Sequence, residues 1–250
     1  SSAASDVYKR QIYNILSSFD STAIANLEAQ GDKTLSAEVS GYEWAQIIKY
    51  LQNNTRLNKL VLTETMETPK GVPLALCFTD GTPDTREAII AFKGTTGGDE
   101  WSDNVEGAIL RDTPDQIEAL EFVQGLPYAD ITLTGHSKGG NKANYITILC
   151  DKVTRCVGFD PQGFSQLFLN DPKYSKRIEE RASLIKNYSL STDFVHILLY
   201  ELPGAKQIFC KGFGVDSTGQ HHSPNSFFYT DYYGNCLLYT SPSPRDTERS

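Results

Sequence analysis

The sequence predicts an α/β domain with a mostly parallel central sheet and helices on both faces. Three observations carry that expectation. Short apolar runs alternate with helix-period segments through the second half of the chain, the pattern of strand–helix–strand units. The run Ala88–Phe92 (AIIAF) is wholly apolar, as a strand covered on both faces would be. No internal repeat is present, and no Pro-, Gly- or Ser-rich linker divides the chain, so one domain is expected.

The elements follow in order. Ile12, Ile15, Leu16 and Phe19, then Trp44, Ile47, Ile48 and Leu51, recur at helical spacing and mark two amphipathic helices. Lys59–Glu64 and Val72–Thr79 read as strands separated by the turn Pro69-Lys70-Gly71. Asp115–Val123 reads as a helix with Pro114 at its start, where a missing N–H costs nothing. Ile131–Thr134 is the next strand, Lys138–Cys150 a helix, and Val153–Phe159 a strand again. Gln162–Phe168 and Lys173–Ala182 read as helices, Ser183–Tyr188 as a strand, and Ile208–Phe213 as the last strand.

Composition narrows the function classes. Of 250 residues, 39% are hydrophobic and 22% charged, with 13 Tyr and 12 Phe. Such a chain buries a sizeable core, which excludes a disordered, collagen-like or coiled-coil protein. A net charge of −8 leaves no basic surplus to neutralise phosphates, so no nucleic-acid partner is expected. No stretch approaches the roughly 18 apolar residues that a transmembrane segment needs.

The two ends read differently from the rest. The codons GAT GTG TAT AAG AGA CAG would encode Asp6–Gln11. Their reverse complement, read one base in, encodes Cys236, Leu237, Leu238, Tyr239 and Thr240 and opens a Ser codon for Ser241. The string resembles a transposase adapter used in DNA library preparation. Residues 1–11 and 236–250 are therefore expected to be adapter-derived scar, leaving 12–235 as a single-domain fragment open at both ends. Without these tails the charge moves from −8 to −9, since Lys9 and Arg10 outweigh Asp6 and the second tail's charges cancel.

Within 12–235, Cys77, Cys150, Cys156 and Cys210 show no C-x-x-C spacing and read as reduced thiols, which leans towards the cytoplasm. The four His residues show neither H-E-x-x-H nor zinc-finger spacing, so no metal and no other cofactor is expected. The Gly-rich stretch after AIIAF lacks G-x-x-x-x-G-K-[ST] and fails as a nucleotide loop.

The sharpest chemical signal is Gly135-His136-Ser137-Lys138-Gly139, a G-x-S-x-G between a predicted strand and a predicted helix. That setting is the nucleophile elbow of the α/β-hydrolase fold. A serine needs a base to become nucleophilic, and the base needs a carboxylate to orient it. In this fold they follow in the order Ser, acid, His. Asp193 follows one predicted strand and Asp160 the strand before it; both are candidate acids, with Asp193 favoured. His221 and His222 are the candidate bases, and spacing does not separate them. His196 lies in an apolar run, and His136 is expected to point away from the nucleophile on the pleat. An oxyanion hole would take one N–H from Lys138 and a second from the loop Lys93–Gly98.

Here the residues resemble a family. Ala91-Phe92-Lys93-Gly94-Thr95 followed by Trp101-Ser102-Asp103 looks like the F-R-G-[ST] and W-x-x-D pattern of class 3, fungal-type lipases. Closer is a bacterial lipase-like α/β-hydrolase family with G-H-S-K-G-G-N-x-A at its elbow. It also resembles this chain at Phe159-Asp160-Pro161-Gln162-Gly163-Phe164, at Asp193-Phe194-Val195, and at His222-Ser223 with a later aromatic. The resemblance covers roughly residues 55–235. It implies Ser137 as nucleophile, Asp193 as acid, His222 as base, and Thr95 with Lys138 at the oxyanion hole. Lys93 stands where class 3 lipases carry Arg, and Lys138, where they carry Leu, sets a charge beside the nucleophile.

The expected function is therefore a serine hydrolase of the lipase or esterase kind, acting on a small-molecule or lipid ester through an acyl-enzyme. The alternatives are a non-catalytic binding protein on the same fold, and an acyltransferase using the same residues. Asn104–Arg111 reads either as a small lid or as an ordinary surface helix.

Overall fold

The computed structural model describes residues 11–36, 39–94, 110–195, 199–210, 222–230 and 236–238. The chain begins with α1 (Ile12–Ser17) and α2 (Ser21–Ala29), the latter capped by the Asp20 carboxylate, which accepts from the Ala23 N–H at 2.8 Å. A short antiparallel pair, β1 (Thr34–Ser36) and β2 (Val39–Ser40), leads into α3 (Gly41–Asn53). Ser40 and Glu43 form a reciprocal capping box there, satisfying two amides that the helix itself leaves over. Ile24, Ala45 and Ile48 bury together as a small cluster of their own.

Seven strands make the main sheet, in sequence order: β3 (Val61–Glu67), β4 (Pro73–Thr79), β5 (Glu87–Phe92), β6 (Asp130–His136), β7 (Val153–Phe159), β8 (Ile185–Leu190) and β9 (Lys206–Cys210). The first three pair antiparallel, and β5 to β9 pair parallel. Crossovers carry α4 (Pro114–Gly125), α5 (Lys138–Leu149), the short α6 (Gln166–Leu169) and α7 (Pro172–Arg181). This is an α/β-hydrolase-like fold. β10 (Phe228–Thr230) pairs antiparallel with β11 (Cys236–Leu238).

The core is the layer between sheet and helices. Ile90, Ile131, Leu133, Ile146, Ile148 and Ile185 are fully buried there, and α5 packs on β6 and β7 with α4 and α7 beside it. Burying each such aliphatic side chain contributes about 1.5–3 kcal/mol. The Arg181 guanidinium, projecting from α7, donates to the Thr147 and Cys150 carbonyls at the end of α5, which leaves those acceptors satisfied. Along β5 burial alternates, with Ala88, Ile90 and Phe92 inside and Ile89 37% exposed. The AIIAF run is thus less enclosed than its composition suggests.

One further expectation changes. Residues 162–165 are extended rather than helical, because Phe164 pairs with Tyr200 in a two-way backbone bridge, its N–H donating at 2.8 Å. Among the described residues no helix is long and apolar enough to cross a membrane. Cys77, Cys150, Cys156 and Cys210 are all buried free thiols. Register aligns the carboxyl ends of β5, β6, β7 and β8: Phe92 lies opposite Gly135, His136 opposite Phe159, and Phe159 opposite Tyr188. That edge is where parallel sheets gather their ligands and chemistry.

Candidate active site

β6 ends at His136 and α5 begins at Lys138, so Ser137 alone turns the chain. It does so at φ 57° and ψ −127°, a conformation that costs a side-chain-bearing residue about 1–3 kcal/mol. The turn is held by hydrogen bonds: the Ser137 N–H donates to the Phe159 carbonyl at 3.0 Å, and its carbonyl accepts from the Asn141 N–H at 3.0 Å. Gly94, just past β5, passes so close that a Cβ there would lie 2.7 Å from the His136 carbonyl and 3.4 Å from Ser137 Cβ. The loop expected to complete an oxyanion hole therefore starts against the serine. Its next residue, Thr95, lies outside the described residues. Lys138 opens α5, where backbone N–H groups point out of a helix toward developing negative charge.

Asp193 and His222 meet at the same edge. His222 Nδ1 is 3.0 Å from Asp193 Oδ1, with the Asp193 side chain fully buried and that of His222 17% exposed. Asp193 sits in the turn after β8, its N–H donating to the Leu190 carbonyl at 3.0 Å. His222 is carried by a segment anchored five residues on. Pro224–Phe227 forms a 3₁₀ turn, and the fully buried Phe227 ring packs with Leu190 and Cys210 at the ends of β8 and β9.

Two groups around this pair were placed differently by the sequence. The His136 ring packs on the His222 ring with centroids 4.5 Å apart, so it belongs to the site rather than facing away. Strand alternation stops being a guide at Ser137, whose backbone leaves the extended region. Burial, and secondly the neighbouring His222, push the His136 pKa down to about 4, so this ring is neutral. Asp160, the rival acid, lies in the site as well. It has φ 41°, is fully buried, and accepts the Leu190 N–H at Oδ1 at 2.7 Å. Burial first, then the Asp193 charge, push its pKa up to about 9.

His136, Asp160 and His222 each offer one ligand atom, all within 4.8 Å of one another. Of these groups, Asp160 Oδ1 already accepts the Leu190 N–H and His222 Nδ1 already meets Asp193. Beside the elbow is a cavity of about 140 Å³, lined among others by Leu110, Lys138, Asn141, Gln162, Phe164 and Leu199. It mixes apolar wall with amide and ammonium groups, room for part of an ester substrate.

Sequence comparison assigns the chain. A family model described as phospholipase-like, the Tle-like phospholipase domain, matches residues 22–219. The chain belongs to the Tle-like phospholipase domain family. Its class is accordingly that of a lipolytic hydrolase, in keeping with the lipase-like motifs. No curated protein matches the sequence. Among solved structures, the native Rhizomucor miehei lipase propeptide complex is similar at 11% identity, covering 91% of this chain and 80% of that chain with a TM-score of 0.40. A deletion mutant of the same complex gives 11%, 82%, 76% and 0.37. The M37 lipase gives 12% identity, 75% and 70% coverage, and a TM-score of 0.40.

In this Tle-like phospholipase domain, then, Ser137, Lys138, Asp193 and His222 gather at one sheet edge, and Asp160 and His136 stand with them. His221, His196 and residues 104–109 of the lid candidate lie outside the described residues. Sequence reasoning assigned no role to Asn141, although it stands in the elbow motif. Its buried amide donates to the Gln162 and Gly163 carbonyls at 3.1 and 2.9 Å and accepts from Gln116 Nε2 at 2.7 Å. It ties α5 to the segment after β7 and to α4. Replacing Asn141 by Ala strips donors from two carbonyls and is expected to lower stability by about 1–3 kcal/mol. Urea unfolding measures it; a loss within about 0.3 kcal/mol would show those carbonyls to be solvated.

Proposed function

We propose that the protein hydrolyses carboxylic esters of phospholipid-type lipids through Ser137, His222 and Asp193. Ser137 Oγ attacks the acyl carbon as His222 Nε2 takes its proton, and the proton passes on to the leaving alcohol. Asp193, on Nδ1, holds the imidazole in the tautomer whose Nε2 can accept. Water, deprotonated by the same imidazole, then attacks the acyl-enzyme and releases the acid and Ser137. The Lys138 N–H and the loop through Thr95 would bind the oxyanion, each donor worth about 10²–10³ in kcat.

The observation that carries the reading is the 3.0 Å contact between His222 Nδ1 and the buried Asp193 carboxylate, set beside a serine with φ 57°. The contact of the His222 ring with that of His136, the residue before Ser137, supports its approach to the nucleophile. The phospholipid substrate class comes from the family.

Fluorophosphonate labelling, with hydrolysis assays on phospholipids and on esters of graded chain length, tests the proposal. The expected result is an adduct on Ser137 and ester hydrolysis that drops by about 10⁶-fold in Ser137→Ala. Full esterase activity in Ser137→Ala would end it. Absence of any adduct would favour a binding protein on a hydrolase fold.

A further inference from the structure

The carboxyl of Asp160 is an ionisable group at this site that the proposed mechanism leaves idle. Its surroundings make that costly unless it has a task. The side chain is fully buried, at the carboxyl end of β7, on a backbone with φ 41° that few side-chain-bearing residues adopt. Its N–H donates to the Tyr188 carbonyl at 2.7 Å, and its Oδ1 accepts the Leu190 N–H at 2.7 Å. Both contacts lock it to β8, the strand that delivers Asp193. Its Oδ2 is buried with no hydrogen-bond partner, and the Asp193 carboxyl is its side-chain neighbour. Among the described residues, the other titratable groups facing it are His136 from β6, His222 and, on β9, the Cys210 thiol.

None of these neighbours supplies a cation that would let two carboxylates ionise side by side. His136 is neutral, burial pushes the Cys210 thiol up to about 11, and the imidazole of His222 is spoken for by Asp193. Two buried like charges side by side are strongly disfavoured, so the pair keeps one proton. It belongs on Asp160, because Asp193 is the member with an imidazole N–H to satisfy its charge. A protonated Oδ2 then meets the neighbouring carboxylate as a donor.

We propose that Asp160 is a positioning residue that donates a hydrogen bond from its carboxylic O–H to the Asp193 carboxylate and so fixes the group that orients His222. This rests on the functional reading above. Atoms balance without any transfer: the proton stays on Asp160 through the cycle, and only its ionisation at alkaline pH removes it.

The test uses the full chain with Asp160→Asn and Asp160→Ala. Asn tolerates positive φ, offers an N–H where the carboxylic O–H was, and keeps an oxygen for the Leu190 N–H. Asp160→Asn is expected to keep kcat within a few-fold of the parent, and Asp160→Ala to lose about 10- to 100-fold in kcat with KM little changed. The alkaline limb separates positioning from mere packing. The parent's activity falls as pH rises through about 9, while Asp160→Asn, which cannot ionise, holds its activity there.

A second readout needs no catalysis. Asp160 has a folded-state pKa raised from 3.8 to about 9, so its contribution to stability is full below pH 3.8 and is lost as pH rises to about 9. The melting temperature of Asp160→Asn should therefore gain on that of the parent between pH 5 and 9. A gap that stays constant with pH, or an Asn variant as impaired as the Ala variant, overturns the proposal. Because the melting curves do not depend on turnover, that failure is distinct from a failure of Ser137→Ala to abolish activity.

Discussion

Asp193→Asn lowers kcat by about four orders of magnitude while the protein still folds. The expectation follows from the tautomer that Asp193 enforces. Its Oδ1 lies 3.0 Å from His222 Nδ1; in the proposed mechanism it holds the proton there and leaves Nε2 as the lone-pair nitrogen that accepts from Ser137. An amide in its place can present an N–H to Nδ1, which moves the proton to Nε2 and removes the base. In serine hydrolases built this way, loss of the acid in this manner costs about 10⁴ in kcat. The Asp193 side chain is also fully buried, so solvent does not reach it to substitute. Single-turnover kinetics with circular dichroism as the folding control measure the effect. The comparison with Asp160 decides between the two acids. If Asp193→Asn stayed within tenfold of the parent while Asp160→Asn lost four orders, the acid would be Asp160.

What the sequence revealed, and what it withheld, follows from how local each feature is. The elbow was legible because its demands are local: one strained serine, glycines on either side, a strand before and a helix after. The start of α4 was legible for the same reason, since Thr113 and Gln116 form a capping box with Pro114 at the first helical position. By contrast, α2 escaped notice because Ile24 is its one buried residue, with Leu27 packed only partly against it. One buried position in nine residues leaves little periodicity to read. Residues 162–165 were misread as helix because what holds them extended is remote: Phe164 pairs with Tyr200. Gly163 allows this, since a Cβ there would come within 2.6 Å of the Tyr200 carbonyl. The acid candidates could be ranked by their place after a strand and the base narrowed to His221 and His222, but the company these groups keep could not be read. That the His136 ring meets His222, and that Asp160 neighbours Asp193, depends on the parallel register of β6, β7 and β8. No window of sequence contains all three strands.

Gly135→Ala and Gly125→Ala make an opposed pair, the first expected to lose both stability and activity and the second to gain stability alone. At Gly135 a Cβ would lie 2.4 Å from the carbonyl carbon and oxygen of Gly139 and 2.8 Å from the Gly140 nitrogen. All three are backbone atoms of the first turn of α5, so no side chain can swing aside. Relief requires β6 and α5 to separate, but α5 is pinned from the other side. A Cβ at Gly139 would itself meet the Phe92 carbonyl oxygen at 2.3 Å, which shows how little space remains toward β5. Overpacking of this kind costs about 1–3 kcal/mol, and more where backbone must move. The displacement falls on Ser137, two residues away, where a shift of about 1 Å is enough to cost 10²-fold in rate. Gly125 ends α4 with open space around its Cβ position, so Ala there is expected to add about 0.4–1 kcal/mol by restricting the unfolded chain. Urea midpoints and ester hydrolysis measured on both variants carry the test. A Gly135→Ala protein with the parent's midpoint and rate would mean that the strand and helix do not close on the serine as tightly as these contacts require, and the strain at Ser137 would then need another support.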